Sequence, residues 1–263
     1  MALPPKTFCW VELGTSDAAG ARTFYTGLLG FSTDDVDLGA SSTYTLLKME
    51  DQNIVGLYTL NEDQKQQGIS PHWLSYVLVD DVDESARRAT ALGGTLSMGP
   101  FDVPNVGRMA MLRDPTGAVF ALFQTGGHEG AAPMDNKPGM FCWNELSTRD
   151  TGAARKFYTE LLGWTAEDSD GPMGTYTTFK NDGRLAGGML TLSDAMGDIP
   201  PHWLVYFAVE DCDGAVDKAS GTGGRVVVPP SDIPDIGRFS VVTDPQGAAF
   251  AVIQLAAPEA NLE

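Results

Sequence analysis

The chain has 263 residues, 43% of them hydrophobic, enough for two domains of roughly 130 residues with real cores. Thirty-five acidic against 17 basic residues give a net charge of -18, which argues against nucleic acid and anionic membranes as partners, since both call for a basic footprint. The 30 glycines and 16 prolines are spaced through the chain and mark turns rather than disorder, and no apolar run has transmembrane length.

Met1 to Lys6 leads into the first patterned segment by Phe8, so no signal peptide is expected and a cytoplasmic location is the simplest expectation. Residues 7 to 14 alternate as a strand, and Thr15-Ser16-Asp17 then offers an N-cap. Ala18 to Leu29 reads as an amphipathic helix with Ala21, Phe24, Tyr25 and Leu28 on its core stripe, stopped by Gly30. Strands follow at Thr43 to Met49 and Asn53 to Leu60, then a polar connector from Asn61 to Ser70. Trp73 to Val79 is the next strand, and a helix runs from about Val82 to Leu92, closed by Gly93-Gly94. Strands near Thr95 to Met98, Arg108 to Arg113 and Ala118 to Gln124 complete the half, the last two joined by the turn Asp114-Pro115-Thr116-Gly117.

The order then repeats. Phe8-Cys9-Trp10-Val11-Glu12-Leu13 returns as Phe141-Cys142-Trp143-Asn144-Glu145-Leu146, and Phe24-Tyr25-Thr26 as Phe157-Tyr158-Thr159, both 133 positions on. Pro71-His72-Trp73-Leu74 returns 130 positions on as Pro201-His202-Trp203-Leu204, and Asp114-Pro115 with Gly117 as Asp244-Pro245 with Gly247. Motifs returning in one order, with the offset changing once by three residues, are the mark of tandem duplication. The expected class is α+β, with four βαβββ modules making two domains at 1–125 and 139–257 around a linker at 126–138. The three cysteines form no metal or redox spacing, and Cys9 and Cys142 read as small buried hydrophobes.

These motifs resemble the vicinal oxygen chelate superfamily, which includes glyoxalase, extradiol dioxygenases and bleomycin-resistance proteins. The closer resemblance is to duplicated actinobacterial glyoxalase-like proteins of hydroxylase type. The resemblance implies paired modules forming cups that hold a metal or a bulky organic ligand. It also implies metal ligands on the first and last strands of each module. Those positions fall on Trp10, Leu74 and Ala121, then Trp143, Leu204 and Ala251, with the remaining ones near Gly56 and Gly187 or Gly188. None of these types supplies a metal donor, so no metal and no cofactor are expected.

The candidate site residues follow from strand parity. If Trp10 and Trp143 face the cups, Glu12 and Glu145 do too, with Cys9, Val11 and Leu13 on the other face. Each glutamate is expected to contact ligand or to pair internally with Arg108 or Arg238. His72 and His202 sit at the rims as ligand contacts, acid-base groups or packing residues, and Tyr76 and Tyr206 share the parity of the cup. Trp73 and Trp203 point away, beneath the helices, while His128 is a linker residue. The functional expectation is metal-free binding of a small hydrophobic or aromatic molecule by a monomer or homodimer. The alternative is a metal-independent hydroxylase, lyase or isomerase acting on an aromatic polyketide or small carbonyl compound, with Glu12, Glu145 and the rim histidines as acid-base groups. A third expectation, an interaction protein, requires filled cups and an exposed apolar patch. Sequence leaves open which modules pair.

Overall fold

A computed structural model describes residues 3–37, 43–126, 134, 136–171 and 174–256. The first half runs β1 (Phe8–Thr15), α1 (Ala18–Leu29), β2 (Ser32–Asp37), β3 (Thr43–Met49), β4 (Gln52–Thr59), α2 (Glu62–Gln66), β5 (His72–Leu78), α3 (Val82–Ala91), β6 (Thr95–Val103), β7 (Gly107–Arg113) and β8 (Val119–Thr125). The second half runs β9 (Phe141–Thr148), α4 (Thr151–Leu162), β10 (Thr165–Gly171), β11 (Gly174–Asn181), β12 (Arg184–Thr191), β13 (His202–Ala208), α5 (Cys212–Gly221), β14 (Arg225–Ile233), β15 (Gly237–Thr243) and β16 (Ala249–Leu255). Each half closes into one eight-stranded sheet, ordered β2-β3-β4-β1-β5-β8-β7-β6 and β10-β11-β12-β9-β13-β16-β15-β14. In both sheets the first strands of the two modules meet antiparallel, β1 with β5 and β9 with β13. The cups therefore form from adjacent modules of the same half, the point that sequence left open.

Local chemistry sets the helix limits. The Asp17 carboxylate accepts from Gly20 N, capping one orphan donor of α1, and Gly30 ends the helix in the left-handed region at φ 80°. Ala21, Phe24 and Tyr25 of the expected stripe are buried, Leu28 packs half-buried against the same core, and Leu29 is buried with them. Asp81 and Asp211 cap α3 and α5 in the same way. The expected polar connector 61–70 contains α2, held by a capping box between Asn61 and Gln64.

Two strands escaped the sequence reading. β2 reads Ser-Thr-Asp-Asp-Val-Asp and β10 reads Thr-Ala-Glu-Asp-Ser-Asp-Gly, both acidic and almost wholly exposed. They are sheet edges, where pairing on one side carries the strand and charge protects the other. Arg22 of α1 bonds Asp35 at 2.9 Å, and Arg155 of α4 bonds Asp168, fastening each edge to its helix.

The two sheets pack back to back through their helix-bearing faces. Phe8 meets Trp203 at 5.0 Å between ring centroids, Trp73 meets Phe207 at 5.3 Å, and Tyr25 meets Phe250 at 5.3 Å. Each such buried ring contributes about 1.5–3 kcal/mol by removal from water. Polar locks cross the same seam: Tyr25 donates to Asp244 Oδ2 at 3.1 Å and Tyr158 to Asp114 Oδ2 at 3.0 Å. The other oxygen of each aspartate organises its own turn. Asp114 Oδ1 accepts from the backbone N–H of Thr116, Gly117 and Ala118, and Asp244 Oδ1 from Gln246, Gly247 and Ala248. The Asp-Pro-x-Gly motif is thus both a turn and a rivet between the halves. With the helix-bearing faces occupied, the two concave faces look away from each other. His128, most of the linker expected at 126–138, and the tail beyond 256 lie outside the described residues.

Candidate ligand cups

In the first cup, register places Trp10 opposite Tyr76, Glu12 opposite Leu74 and Gly14 opposite His72 across β1 and β5. On the other side of β1, Glu12 pairs with Gly56 and Gly14 with Tyr58 of β4. Paired Cα atoms carry their side chains to one face, so Trp10, Glu12, His72, Leu74, Tyr76 and Tyr58 share the concave surface. Met109, Met111, Ala121 and Phe123 continue it along β7 and β8.

The centre of this cup is a closed hydrogen-bond cluster. Tyr44 on β3 donates to Glu12 Oε1 at 2.6 Å, and Tyr76 donates to Oε2 at 2.8 Å. Trp10 Nε1 donates in turn to the Tyr44 hydroxyl at 3.2 Å. Burial raises the Glu12 carboxyl above its ordinary range, and the two tyrosine bonds only partly offset this. Burial, followed by the glutamate charge, pushes Tyr44 and Tyr76 well above the usual phenol range.

The second cup repeats the cluster. Tyr206 donates to Glu145 Oε1 at 2.9 Å, Tyr176 also bonds this carboxylate, and Trp143 Nε1 donates to the Tyr176 hydroxyl at 2.9 Å. Glu145 is 7% exposed and its carboxyl is raised by burial, as for Glu12. Leu204, Phe239, Val241, Ala251 and Ile253 line the remainder.

Glycine makes the cluster possible. A Cβ on Gly56 would lie 1.8 Å from the Tyr44 hydroxyl and 3.0 Å from Trp10 Nε1, and one on Gly188 would meet Tyr176 and Trp143 at the same distances. The tyrosine hydroxyl fills the space that a side chain at this last-strand position would take. Register also decides between the two glycines of the second copy, since Gly188 pairs with Glu145.

Two expectations need correction. Neither Arg108 nor Arg238 pairs with a cup glutamate. Arg108 grips Asp83 of α3 with Nε at 2.6 Å and Nη2 at 2.9 Å, and Asp102 at 2.9 Å; Arg238 grips Asp213 and Asp232 likewise. One residue along a strand reverses the face, and Arg108, next to cup-facing Met109, emerges on the helix side. The phenols of β3 and β5, and of β11 and β13, take the place assigned to arginine. Strict alternation also fails at Cys9 and Cys142, where β-bulges shift the register. Phe8 consequently turns to the seam, and Cys142 packs with Leu204, Tyr206 and Ala251 of the cup rather than behind it. Both thiols point at a strand carbonyl, with burial pushing them up to about 12, which leaves them unreactive.

At the rims, His72 Nδ1 lies 2.8 Å from Ser70 O and His202 Nδ1 lies 2.8 Å from Pro200 O. Burial lowers His202 below the ordinary imidazole range. A neutral ring whose Nδ1–H donates to the carbonyl leaves Nε2 as an acceptor. Trp73 and Trp203 lie under the sheets in the seam, with Trp203 Nε1 donating to Tyr158 at 2.8 Å. Tyr44 and Tyr176 were missed by sequence. The available signal was a tyrosine at matched positions of both copies, two residues before Leu46 and Thr178, beside strands that carry Gly56 and Gly188 in their interiors.

With this geometry in view, the comparisons are specific. The family model described as the Glyoxalase/Bleomycin resistance protein/Dioxygenase superfamily matches residues 7–122 and again 142–252. The CFP32 protein of Mycobacterium bovis, whose name proposes a glyoxylase, is 36% identical over 247 residues, covering 93% of each chain. The anthracycline biosynthesis protein DnrV of Streptomyces peucetius is 34% identical over 261 residues, covering 95% of this chain and 94% of its own. Homoprotocatechuate 2,3-dioxygenase of Brevibacterium fuscum, solved with 3,4-dihydroxyphenylacetate, superposes with TM-score 0.66 at 18% identity over 100% of this chain and 84% of its own. The Mn(II)-bound glyoxalase from Novosphingobium aromaticivorans gives TM-score 0.64 at 16% identity, covering 95% and 82%. These structural likenesses bear on the fold.

The donor chemistry of the cups does not fit a metal of the kind that glyoxalase holds. Among the described residues, no group of three or more His, Cys, Asp or Glu side chains is placed to hold an ion. Each cup offers one carboxylate set among phenols, with both Glu12 oxygens accepting from tyrosine and Glu145 Oε1 accepting from Tyr206, and those phenols resist ionisation. Among the described residues no helix is long and apolar enough to cross a membrane.

Proposed function

The chain belongs to the Glyoxalase/Bleomycin resistance protein/Dioxygenase superfamily, and from that premise we propose that its cups bind a small hydrophobic or aromatic molecule without a metal. One observation carries this reading: a Trp-Tyr-Glu-Tyr cluster occupies the place where the superfamily keeps metal ligands, with the tyrosine hydroxyl seated over Gly56 and Gly188. The cluster closes the floor of each cup with its polar atoms paired to one another. Indole and phenol faces, with methionine or aliphatic side chains around them, suit a flat apolar ligand. DnrV is named for anthracycline biosynthesis, and a polycyclic aromatic ligand would suit the aromatic and apolar lining of such a cup.

The metal-independent enzyme reading has one observation in its favour. Glu12 is half-buried at the cup surface with its carboxyl raised by burial, which makes it a better proton acceptor than an ordinary carboxylate. The discriminating experiment combines elemental analysis of chelator-free protein with titration of tryptophan fluorescence by aromatic compounds. Well under one metal per chain is expected, with quenching that weakens by roughly 1–3 kcal/mol in Trp10→Ala or Trp143→Ala. A stoichiometric, tightly held metal ion with Glu12 among its ligands would overturn the proposal.

A further inference from the structure

The cluster at the floor is the same in both cups, but the layer above it is not. Three matched positions form that layer: Gly14, Tyr58 and His72 in the first cup, and Ser147, Leu190 and His202 in the second. A Cβ on Gly14 would lie 2.8 Å from the Tyr58 hydroxyl and 3.1 Å from His72 Cε1, so phenol and imidazole converge over a residue with no side chain. In the second cup a leucine replaces the phenol, and the Ser147 side chain is itself buried at 5% exposure.

Tyr58 is half-buried on the concave face, and Gln64 of α2 bonds its hydroxyl. Gln64 Oε1 accepts from Asn61 N at 2.9 Å, and its amide lowers the Tyr58 pKa, the effect of an N–H donating to the phenol oxygen. The phenol proton then remains for an acceptor in the cup. Burial and the nearby Glu12 charge push Tyr58 up to about 12, keeping that proton in place at neutral pH. Among the described residues the second cup has no α2 counterpart. Its connector is instead a single 3-10 turn, Asp194–Met196, followed by a loop that Arg149 pins by donating to Ile199 O at 2.7 Å and to Gly197 O.

We propose that the two cups take different ligands: the first selects an aromatic ring bearing a hydroxyl or carbonyl oxygen, read by Tyr58, and the second selects a ring without one, packed against Leu190. This rests on the binding reading above and goes beyond it in assigning a chemical class to each cup. A site built to hydrogen-bond a substituent discriminates against the analogue lacking it, because the analogue leaves the buried phenol unpaired.

The test uses 2-naphthol and 2-methylnaphthalene, which differ by a hydroxyl against a methyl. Both are titrated into the full chain by tryptophan fluorescence, with the number of sites counted by equilibrium dialysis. The expected result is two classes of site, with 2-naphthol preferred about tenfold at one of them. Tyr58→Phe should abolish that preference by weakening 2-naphthol binding and relieving the penalty on 2-methylnaphthalene, and Leu190→Tyr should create a second 2-naphthol-preferring site. Retention of the preference in Tyr58→Phe, or two sites of equal preference in the unsubstituted protein, would overturn the assignment while leaving the binding reading intact. If neither compound binds, the binding reading itself falls.

Discussion

Replacing Tyr44 by phenylalanine removes one oxygen from the middle of the first cup's cluster, and its cost can be worked out from the partners left behind. Trp10, which is 8% exposed, loses the acceptor that its Nε1 reaches at 3.2 Å, and removing one partner of a buried hydrogen bond costs about 1–3 kcal/mol. The long bond argues for the lower end of that range. Glu12 Oε1 loses a donor at 2.6 Å but faces the cup, where water can substitute, so this adds about 0.5–1.5 kcal/mol. The sum is about 2 kcal/mol. For a chain of this size that corresponds to a fall in Tm of roughly 4–8 °C by differential scanning calorimetry. Glu12 retains Tyr76 at 2.8 Å, so folding should survive and aromatic ligand binding at the second cup should be unaffected. Tyr176→Phe should cost less, because Trp143 is more exposed than Trp10 and its indole N–H is more easily solvated. A Tm within about 1 °C of the unsubstituted protein at pH 8 would refute the idea that the cluster is a held unit, and with it the account of why glycine stands at 56.

Two further predictions concern titration and the seam. The folded state holds the Glu12 and Glu145 protons more tightly than an unfolded chain does, because both carboxyls are raised by burial. The unfolded state therefore binds fewer protons, and stability contributed by these groups is full below the ordinary glutamate pKa of about 4.3 and falls as pH rises toward the folded value. Glu12→Gln with Glu145→Gln should remove that fall, visible as a flatter Tm profile above pH 5; if turnover on an aromatic substrate also vanished while binding persisted, the enzyme reading would gain. At the seam, Tyr158→Phe should destabilise more than Tyr25→Phe, by about 1 kcal/mol in urea denaturation. Tyr158 both donates to Asp114 and accepts from Trp203 Nε1, whereas Trp73 Nε1 beside Tyr25 lacks a well-formed partner; equal losses would contradict that asymmetry.

The fold was legible because its determinants are local and appear twice. Asp17 and Gly30 bound one helix, Asp150 and Gly163 bound its copy, and period-two alternation marks β1 and β9. The acidic edges β2 and β10 were not legible, since nothing in Thr-Asp-Asp-Val-Asp favours a strand until β3 supplies a partner along its whole length. The site was half legible for a similar reason. Parity along β1 put Trp10 and Glu12 on one face, but their partner arrives from β3, two strands away in the sheet. Its hydroxyl reaches Glu12 only because the intervening residue, Gly56, has no side chain. A glutamate bound for an apolar cup demands a partner, and charge made arginine the obvious candidate. The solution adopted in both copies, a pair of phenols, spares the protein a second buried charge.

That choice bears on function. An arginine against Glu12 would have fixed the glutamate as a carboxylate and filled the cup with a guanidinium. Phenols donate without adding charge, and they keep a flat, largely apolar surface available to a ligand. The duplication separates the two demands. The floor recurs with the same residue types at Trp10/Trp143, Glu12/Glu145, Tyr44/Tyr176, Gly56/Gly188 and Tyr76/Tyr206, while the rim differs at Gly14/Ser147 and Tyr58/Leu190. A cluster whose loss costs stability resists change in either copy, because removing one member strands the others. A rim residue with a single ligand-facing hydroxyl carries no such penalty. Within one chain, then, the residues that hold the cup together and those that can choose its occupant lie on successive layers of the same strands.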